Sequence, residues 1–402
     1  MGFGHETPAG AADVVVEVEA LTADARHARA DLEYLAEGGA RAEVDLDAGD
    51  DHEQAAERVD AEHLAHVRDA RVLEVGQVDR VVHVSKCIEV AERDLLRVDG
   101  AESLHRPDGT VAVSVSGELT RDAICAQPEW LRGVPERVGE RRLPNARVVF
   151  TGCGTSFHAA QTGGEAVQAL DAVLRVPEAD LLVVVSHEGG TRLAIEAAEK
   201  FDGPVWLVTG KEESPLADLA EEMIVATPAV EESYCHTASY TCAVAALAAL
   251  RGEDVRGLPV AVEHALSDPF DGGDWERVVV VGAGRDWPTA QEAVLKLREG
   301  AYVAAEAHQT EQILHGHLAA IDETVRVFVL EGEGRAVERA HDVVGALTEI
   351  GAQATVVPTA HPAVDIVRFQ LLTLELAQRR GVDPDKIRWD DPRWDAARKS
   401  YG

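Results

Sequence analysis

A lysine and a glutamate stand three residues apart in the stretch EAVLKLREGAY, where Lys296 and Glu299 would share one face of a predicted helix. A carboxylate placed in this way can act as a general base that moves a proton during a reaction. The plainer interpretation is an exposed helix salt bridge, which contributes little to stability. Lysine is scarce in this chain, with six residues against 32 arginines. This scarcity favours a specific role for Lys296.

Two turns rich in hydroxyl groups follow predicted strands in the first half of the sequence. The stretch GCGTS carries Thr155 and Ser156, and the stretch SHEGGT carries Ser186 and Thr191. Both turns precede predicted helices, and the first amides of a helix together with hydroxyl groups form a binding site for an anion such as phosphate. The alternative is that each hydroxyl only caps its own helix. Two such turns at equivalent positions favour the anion site.

A glutamate, Glu188, stands in the middle of the second turn. A carboxylate about 4 Å from a phosphate would repel it by roughly 4 kcal/mol per charge pair at an effective dielectric constant near 20. We therefore expect Glu188 to turn outward or to pair with Arg192 or His187. The remaining alternative is a ligand that has no phosphate at this point.

Metal and dinucleotide sites are weakly indicated. The stretches GAG and GCG each follow a predicted strand, but neither has the third glycine of a dinucleotide-binding turn. The five cysteines form no CxxC pair, which argues against a cysteine zinc site. Glu311 and His315 have the i, i+4 spacing of metal ligands, but a third ligand would have to bend back to meet them. We expect no metal and no organic cofactor.

Alternating strands and helices are predicted to position these residues. From residue 119 onward, apolar runs such as 147–151 and the one that begins at 181 are typical of buried strands, and each is followed by a turn and a helical pattern. Thr237 is the predicted cap of the helix that follows it. After a Gly-rich, Asp-rich and Pro-rich stretch the pattern begins again, with WERVVVVGAG as a strand and 287–307 as one long helix.

The repetition predicts an α/β protein with two doubly wound parallel sheets in tandem. The boundary falls near residue 256, so the two domains span 118–255 and 256–402. In such folds ligands lie outside the carboxyl ends of the strands. The hydroxyl-rich turns belong to the first domain, and the Lys296 helix belongs to the second.

Charge and hydropathy restrict the partners of this protein. The 72 acidic side chains against 38 basic ones argue against binding of nucleic acid or of an anionic membrane surface. Such an acidic, lysine-poor composition suits solubility in concentrated salt, so we expect a salt-adapted protein; the alternative is an acidic protein of no special habitat. The sequence has no run of roughly 18 apolar residues and no secretory signal pattern. A cytoplasmic location is therefore expected.

The first 117 residues differ from the rest of the chain. They hold only two aromatic side chains, Phe3 and Tyr34, and seven of the sixteen histidines. One interpretation is a flexible, poorly structured acidic extension that cannot bury enough apolar surface to fold. Another is a mis-set start, with Val113 or Val115 as the true beginning, and the third is a small stable domain.

Several motifs together resemble the sugar isomerase (SIS) domain family in tandem arrangement. They are AQP at 126–128, CGTSFHA at 153–159, SHEGGT at 186–191, TASYT at 237–241 and the stretch EAVLKLREGAYVAAEAHQTEQILHG at 292–316. The sequence is similar to the isomerase half of glutamine:fructose-6-phosphate aminotransferase and to archaeal glucosamine-6-phosphate deaminases. The resemblance covers residues 119–402, without a glutamine-hydrolysing domain.

The resemblance implies an isomerase or a hexosamine-phosphate deaminase, and the alternative is a sugar-phosphate sensor without turnover. It implies that Glu299 is the base, that Lys296 also contacts the sugar carbons, and that His315 opens the sugar ring from a neighbouring subunit. A homodimer with a shared active site follows from that last role. The residues implied to bind the substrate and its phosphate are Gly154, Thr155, Ser156, Ser186, His187, Gly189, Thr191 and Thr237.

The C-terminal tail leaves the covalent chemistry open. Aminotransferase-like members of the family have a tail lysine that forms a Schiff base with the keto sugar. Alignment on DPR at 391–393 makes Lys399 the candidate, two residues too far along the chain. Alignment on the distance from Gly381 places Pro392 at the lysine position instead.

Overall fold

The computed structural model describes residues 103–105, 111–113, 116–270, 273 and 275–400. Two short strands, β1 (Ser103–His105) and β2 (Val111–Val113), pair in antiparallel fashion. The expectation for residues 1–117 otherwise lies outside the described residues.

The first of two parallel sheets is formed by apolar runs in the first half of the chain. Its strands are β3 (Val148–Thr151), β4 (Leu181–Val185), β5 (Val205–Thr209) and β6 (Glu222–Val225). They follow the order β3-β4-β5-β6, and every pairing is parallel. All five residues of β4 are buried, as expected for a strand that is covered on both faces.

The second sheet has the strand order β10-β9-β7-β8, and it is also entirely parallel. Its strands are β7 (Arg277–Gly282), β8 (Ala304–Gln309), β9 (Val325–Leu330) and β10 (Gln353–Val357). The predicted α/β class with parallel sheets is confirmed. The assignment of one domain to each sheet, with a boundary near residue 256, stays a prediction.

The helices connect the strands and cover both sheets. They are α1 (Glu118–Arg132), α2 (Val134–Val138), α3 (Thr155–Gly163), α4 (Ala169–Leu174), α5 (Arg192–Lys200), α6 (Ala238–Leu250), α7 (Leu258–Leu266), α8 (Trp287–Gly300), α9 (Thr310–Ile313), α10 (Arg335–Glu349), α11 (Pro362–Asp365), α12 (Val367–Arg380) and α13 (Pro392–Lys399). Short 3₁₀ turns lie at Ala217–Leu219, Gly284–Asp286 and His317–Ala320. No helix among the described residues has the length and apolar character needed to cross a membrane.

The two sheets share one apolar core. Val183 of β4 and Val208 of β5 belong to the same buried cluster as Val280 of β7 and Phe328 of β9. Helix α6 is buried along its whole length, and it packs against α1, α2, α3 and α11. A helix that is apolar all round is stable only in such a surrounded position.

The predicted long helix over 287–307 is wrong in its second part. Helix α8 ends at Gly300, the chain turns at Tyr302 with φ of 53°, and residues 304–309 form β8. The stretch AAEA contains good helix formers, but pairing with β7 at the edge of the sheet determines its conformation. Gly300 is also required locally, because an added Cβ would lie 2.6 Å from Cγ2 of Thr373 on α12.

Candidate active site between the two sheets

A buried lysine on α8 lies at the centre of the site. Lys296 is fully buried, and its ammonium group contacts Oε1 of Glu292 at 3.3 Å and also Oε1 of Glu299. It donates a third hydrogen bond to the Thr155 hydroxyl at 3.0 Å. Because Glu292, Lys296 and Glu299 are spaced i, i+4 and i+7, they lie on one face of the helix.

The charges of this cluster stabilise one another. Burial alone would lower the pKa of Lys296, but Glu292 and Glu299 outweigh it and hold that pKa above its ordinary value. Burial alone would raise the pKa of Glu292, whereas Lys296 and His158 lower it below its ordinary value. A buried pair of this kind stays charged only because each partner compensates the other. Lys296 is therefore a permanent cation at neutral pH.

Helix α3 connects the hydroxyl-rich turn to this cluster. The Thr155 hydroxyl donates to Oε1 of Glu292 at 3.1 Å, and Nδ1 of His158 lies 2.7 Å from Oε2 of the same carboxylate. Glu292 and His158 were missed in the sequence analysis. Both could have been found from their spacing along a predicted helix. Glu292 lies four residues before Lys296 in EAVLK, and His158 lies three residues after Thr155 in TSFH.

Glycine shapes the turn that precedes α3. A Cβ on Gly152 would lie 2.8 Å from the carbonyl carbon of Ser156, so no other residue fits without displacing the backbone. Gly154 has φ of 54°, a left-handed conformation that favours glycine. The turn thereby places Thr155 and Ser156 at the start of the helix.

The second turn has a buried beginning and an exposed end. Ser186 is 3% exposed, and Nε2 of His187 accepts a hydrogen bond from the backbone N–H of Glu231 at 2.9 Å. Gly189 has φ of 68°. Glu188 and Thr191 are exposed. Within the described part of the chain, neither Arg192 nor His187 forms an ion pair with Glu188.

The predicted cap of α6 requires a correction. The Thr237 side chain does not cap the helix; its hydroxyl donates to Oε1 of Glu231 at 2.9 Å. The same carboxylate accepts the backbone N–H groups of Thr237 at 2.7 Å and Ser239 at 2.8 Å. Glu231 is 5% exposed, so a buried carboxylate already compensates the positive end of α6. The Thr237 hydroxyl, predicted to bind substrate, is used internally.

A small pocket opens at the carboxyl ends of β4, β5 and β6. The polar side chains that line it include Thr155, Ser156, His187, His236 and Ser239. Two hydroxyls of the first turn thus meet the second turn in one crevice. This is the position at which doubly wound sheets bind ligands.

A larger cavity of about 510 Å³ is lined by Glu299, the carboxylate that contacts Lys296. Its wall contains Tyr302, Ile387 and Arg388, which are the non-glycine residues with left-handed φ in the described ranges. The Arg388 guanidinium lies 4.0 Å from the ring centre of Tyr302 and 4.3 Å from that of Trp394. Strained backbone tends to cluster at ligand sites.

Two predicted catalytic residues lie apart from this cluster. His315 is exposed and contacts Glu311 at 2.9 Å, and Glu311 in turn accepts a hydrogen bond from Arg339 at 2.8 Å. Lys399 is exposed on α13 and contacts Asp395 at 2.7 Å. Neither His315 nor Lys399 lines the two cavities.

Metal ligands are not clustered in the described ranges. No group of three or more His, Cys, Asp or Glu side chains there could hold a metal ion. The Glu311 and His315 pair with the predicted metal spacing is instead bonded within itself and to Arg339.

Comparisons with known proteins identify similar sequences and similar folds. The SIS domain family matches residues 273–382. A glutamine–fructose-6-phosphate aminotransferase (isomerizing) of Methanothermobacter thermautotrophicus is 27% identical over 322 residues, which cover 66% of this chain and 53% of that protein. This chain thus spans about half the length of the curated relatives it matches. The resemblance to SIS-domain proteins is confirmed.

Solved structures show the same fold. The C-terminal domain of glucosamine-fructose-6-phosphate aminotransferase from Francisella tularensis has a TM-score of 0.59 at 18% identity, covering 70% of this chain and 99% of that one. Glucosamine-6-phosphate deaminase from Thermotoga maritima has a TM-score of 0.57 at 21% identity, covering 67% of this chain and 97% of that one. The family match covers the second sheet; a second SIS domain around the first sheet stays a prediction.

Proposed function

We propose that this chain, whose residues 273–382 match the SIS domain family, binds a sugar phosphate and either isomerises it or deaminates a hexosamine phosphate such as glucosamine 6-phosphate. The observation that carries the proposal is the position of Lys296. It contacts Thr155 at the start of α3 and Glu299 at the edge of the large cavity. The anion-binding turn and the proposed base are therefore joined by one side chain.

The phosphate is assigned to the turns of the first sheet. The hydroxyls of Ser156 and Ser186 and the first amides of α3 supply donors without a permanent positive charge in the turn. Glu188 is exposed, which supports an outward orientation away from the phosphate. Thr155 serves a second purpose, because its hydroxyl is bonded to Glu292 and Lys296.

Glu299 is assigned as the base. Its side chain is 22% exposed, whereas Lys296 and Glu292 are fully buried, so Glu299 is the member of the cluster that can reach a ligand. On an open-chain aldose phosphate its carboxylate removes the proton from C2 and returns it to C1. With an amino group on C2 the product is an imine, and addition of water then releases ammonia and leaves fructose 6-phosphate.

Lys296 is assigned as an electrostatic and positioning residue. A fixed positive charge beside the reacting carbons stabilises the negative charge that develops on the sugar oxygen during proton transfer. Because Glu292 and Glu299 keep Lys296 charged, it is not the nucleophile of an imine. His315 is assigned to ring opening in a homodimer, in which a partner subunit would bring it to the cluster.

A sensor without turnover is the second candidate. It is favoured by Lys399, which is bonded to Asp395 on α13 and exposed, so the tail supplies no nucleophile in this arrangement. The first candidate needs no such nucleophile for proton transfer.

The test is incubation with glucosamine 6-phosphate in concentrated salt, with ammonia and fructose 6-phosphate as readouts. We expect both products from the wild type, a loss of at least about a hundredfold in Glu299→Gln, and wild-type rates in Glu349→Gln, which changes an exposed residue on α10. Binding without product would favour the sensor. If the protein neither binds nor converts any hexose phosphate, the proposal is overturned.

A further inference from the structure

The small pocket beside Ser156 has an unusual charge composition. Among the residues that line it, none is a lysine or an arginine, and His187 and His236 are the side chains that can become positive. The nearby cation, Lys296, is already balanced by Glu292 and Glu299. A phosphate dianion in this pocket therefore meets hydroxyls, amides and two imidazoles, but no free positive charge.

His187 cannot take up a proton without losing a hydrogen bond. Its Nε2 accepts the backbone N–H of Glu231 at 2.9 Å, so the neutral ring carries its proton on Nδ1. A second proton on Nε2 would face that N–H group. Burial and the neighbouring His236 also lower the pKa of His187 to about 4.

His236 is free of this constraint. Its ring meets that of His187 edge-on, with centroids 5.1 Å apart, and it makes no hydrogen bond within the ranges that the structure describes. The charged groups that act on it electrostatically are Glu231, Lys296, Glu299 and Glu188. Burial holds the pKa of His236 below its ordinary value, while the three carboxylates act in the opposite direction.

A dianion bound next to a neutral imidazole favours the protonated ring, because an opposite charge at short range stabilises the charged form. We propose that binding of the sugar phosphate is coupled to protonation of His236, which supplies the positive charge that the pocket otherwise lacks. The inference rests on the proposed function for its ligand, and it makes His236 a determinant of affinity that depends on pH.

Proton uptake on binding measures this coupling directly. The probe is glucitol 6-phosphate, which has no carbonyl group and cannot react, titrated calorimetrically at pH 6.5, 7.5 and 8.5 in buffers with different heats of ionisation. We expect uptake of up to about one proton and a loss of affinity of up to about tenfold per pH unit as pH rises. In His236→Asn we expect the part of the proton uptake that comes from this imidazole to disappear. His264→Asn, which changes an exposed histidine on α7, behaves like the wild type.

The controls separate the inference from the proposed function. The phosphate ester itself has a pKa of about 6, but its ionisation is the same for all three proteins and cancels in their differences. Equal proton uptake by wild type and His236→Asn overturns the inference and leaves the proposed function standing. No binding by the wild type overturns both. If His236→Asn does not fold, NMR titration of the wild-type imidazoles with and without ligand gives the same answer.

Discussion

The ammonium group of Lys296 and the hydroxyl of Thr155 lie 3.0 Å apart, and this hydrogen bond joins the helix that follows β7 to the helix that follows β3. The polar centre is thus built from both sheets at once. Lys296 and Glu292 are fully buried in this centre, so a change to either is expected to alter the free energy of unfolding as well as the proposed activity.

Removal of the buried cation is expected to destabilise the protein strongly. In Lys296→Met, the buried Glu292 loses its permanent cation and keeps only Thr155 and His158 as partners, which costs about 3–5 kcal/mol of unfolding free energy. The matched control is Lys200→Met, which removes an exposed pair with Glu196 at 3.1 Å and should cost less than about 1 kcal/mol. Denaturant titration of both variants provides the comparison. Equal losses would contradict the role given to Lys296.

The turn before α3 is expected to tolerate no side chain at Gly152. In Gly152→Ala the new methyl group would lie 2.8 Å from the Ser156 carbonyl carbon, and relief of the clash costs about 1–3 kcal/mol. Gly345→Ala on α10 has open space around the new Cβ and should stabilise by about 0.4–1 kcal/mol. Thermal unfolding separates the two, and a neutral Gly152→Ala would show that the turn can relax.

The start of α6 is expected to depend on Glu231. Glutamine at this position would turn an amide N–H₂ group toward backbone donors that now bond to both carboxylate oxygens. We expect Glu231→Gln to lose about 2 kcal/mol of unfolding free energy. Its neighbour Glu232 is exposed, and Glu232→Gln should be close to neutral. Denaturant titration distinguishes these results from a cap supplied by Thr237, which would leave Glu231→Gln close to neutral as well.

A buried carboxyl on α11 is expected to make stability depend on pH. Burial raises the pKa of Asp365 from 3.8 to about 7, so the native state binds this proton more tightly than the unfolded state. Its contribution to stability is full below pH 3.8 and is lost as pH rises through about 7. Asp365→Asn should therefore lose less stability than the wild type between pH 5 and 8.

The measurement for Asp365 is the unfolding free energy at pH 5, 6, 7 and 8. His187 and His361, whose pKa values are lowered to about 4 chiefly by burial, titrate in both proteins and cancel in the difference. Asp202→Asn, at an exposed position after α5, serves as the control. Parallel curves for Asp365→Asn and the wild type would refute the assignment.

The proposed shared site predicts complementation between two inactive variants. If His315 acts on a partner subunit, a mixture of Glu299→Gln and His315→Ala regains activity in its mixed dimers, because each mixed dimer contains one intact site. We expect recovery of roughly a quarter of wild-type activity after random reassociation, half of the dimers being mixed with one intact site each. Assays before and after reassociation test this. No recovery by a demonstrably mixed dimer would place His315 outside the site.

Local patterns in the sequence predicted most of the parallel strands and the first part of α8, because LLVVV and VVVVG are typical of buried strands in any context. Lys296 and Glu299 were predicted as neighbours from their spacing alone. The sequence could not predict β8, since the pairing with β7 overrides its helix-forming residues. It also gave no sign of the role of Glu231, whose partners are brought to it by the turn between β6 and α6. The proposed role of His236 could not be predicted either, because it depends on side chains that the fold brings near it from α8 and from the second turn.

The continuous core beneath both sheets also limits how this protein can be divided. Helix α6 has no face suited to water, so a fragment that ended near residue 256 would expose it along one side. The two halves are therefore expected to fold and unfold in a single cooperative step, and a split version of the chain would need both pieces present together to reach the native state.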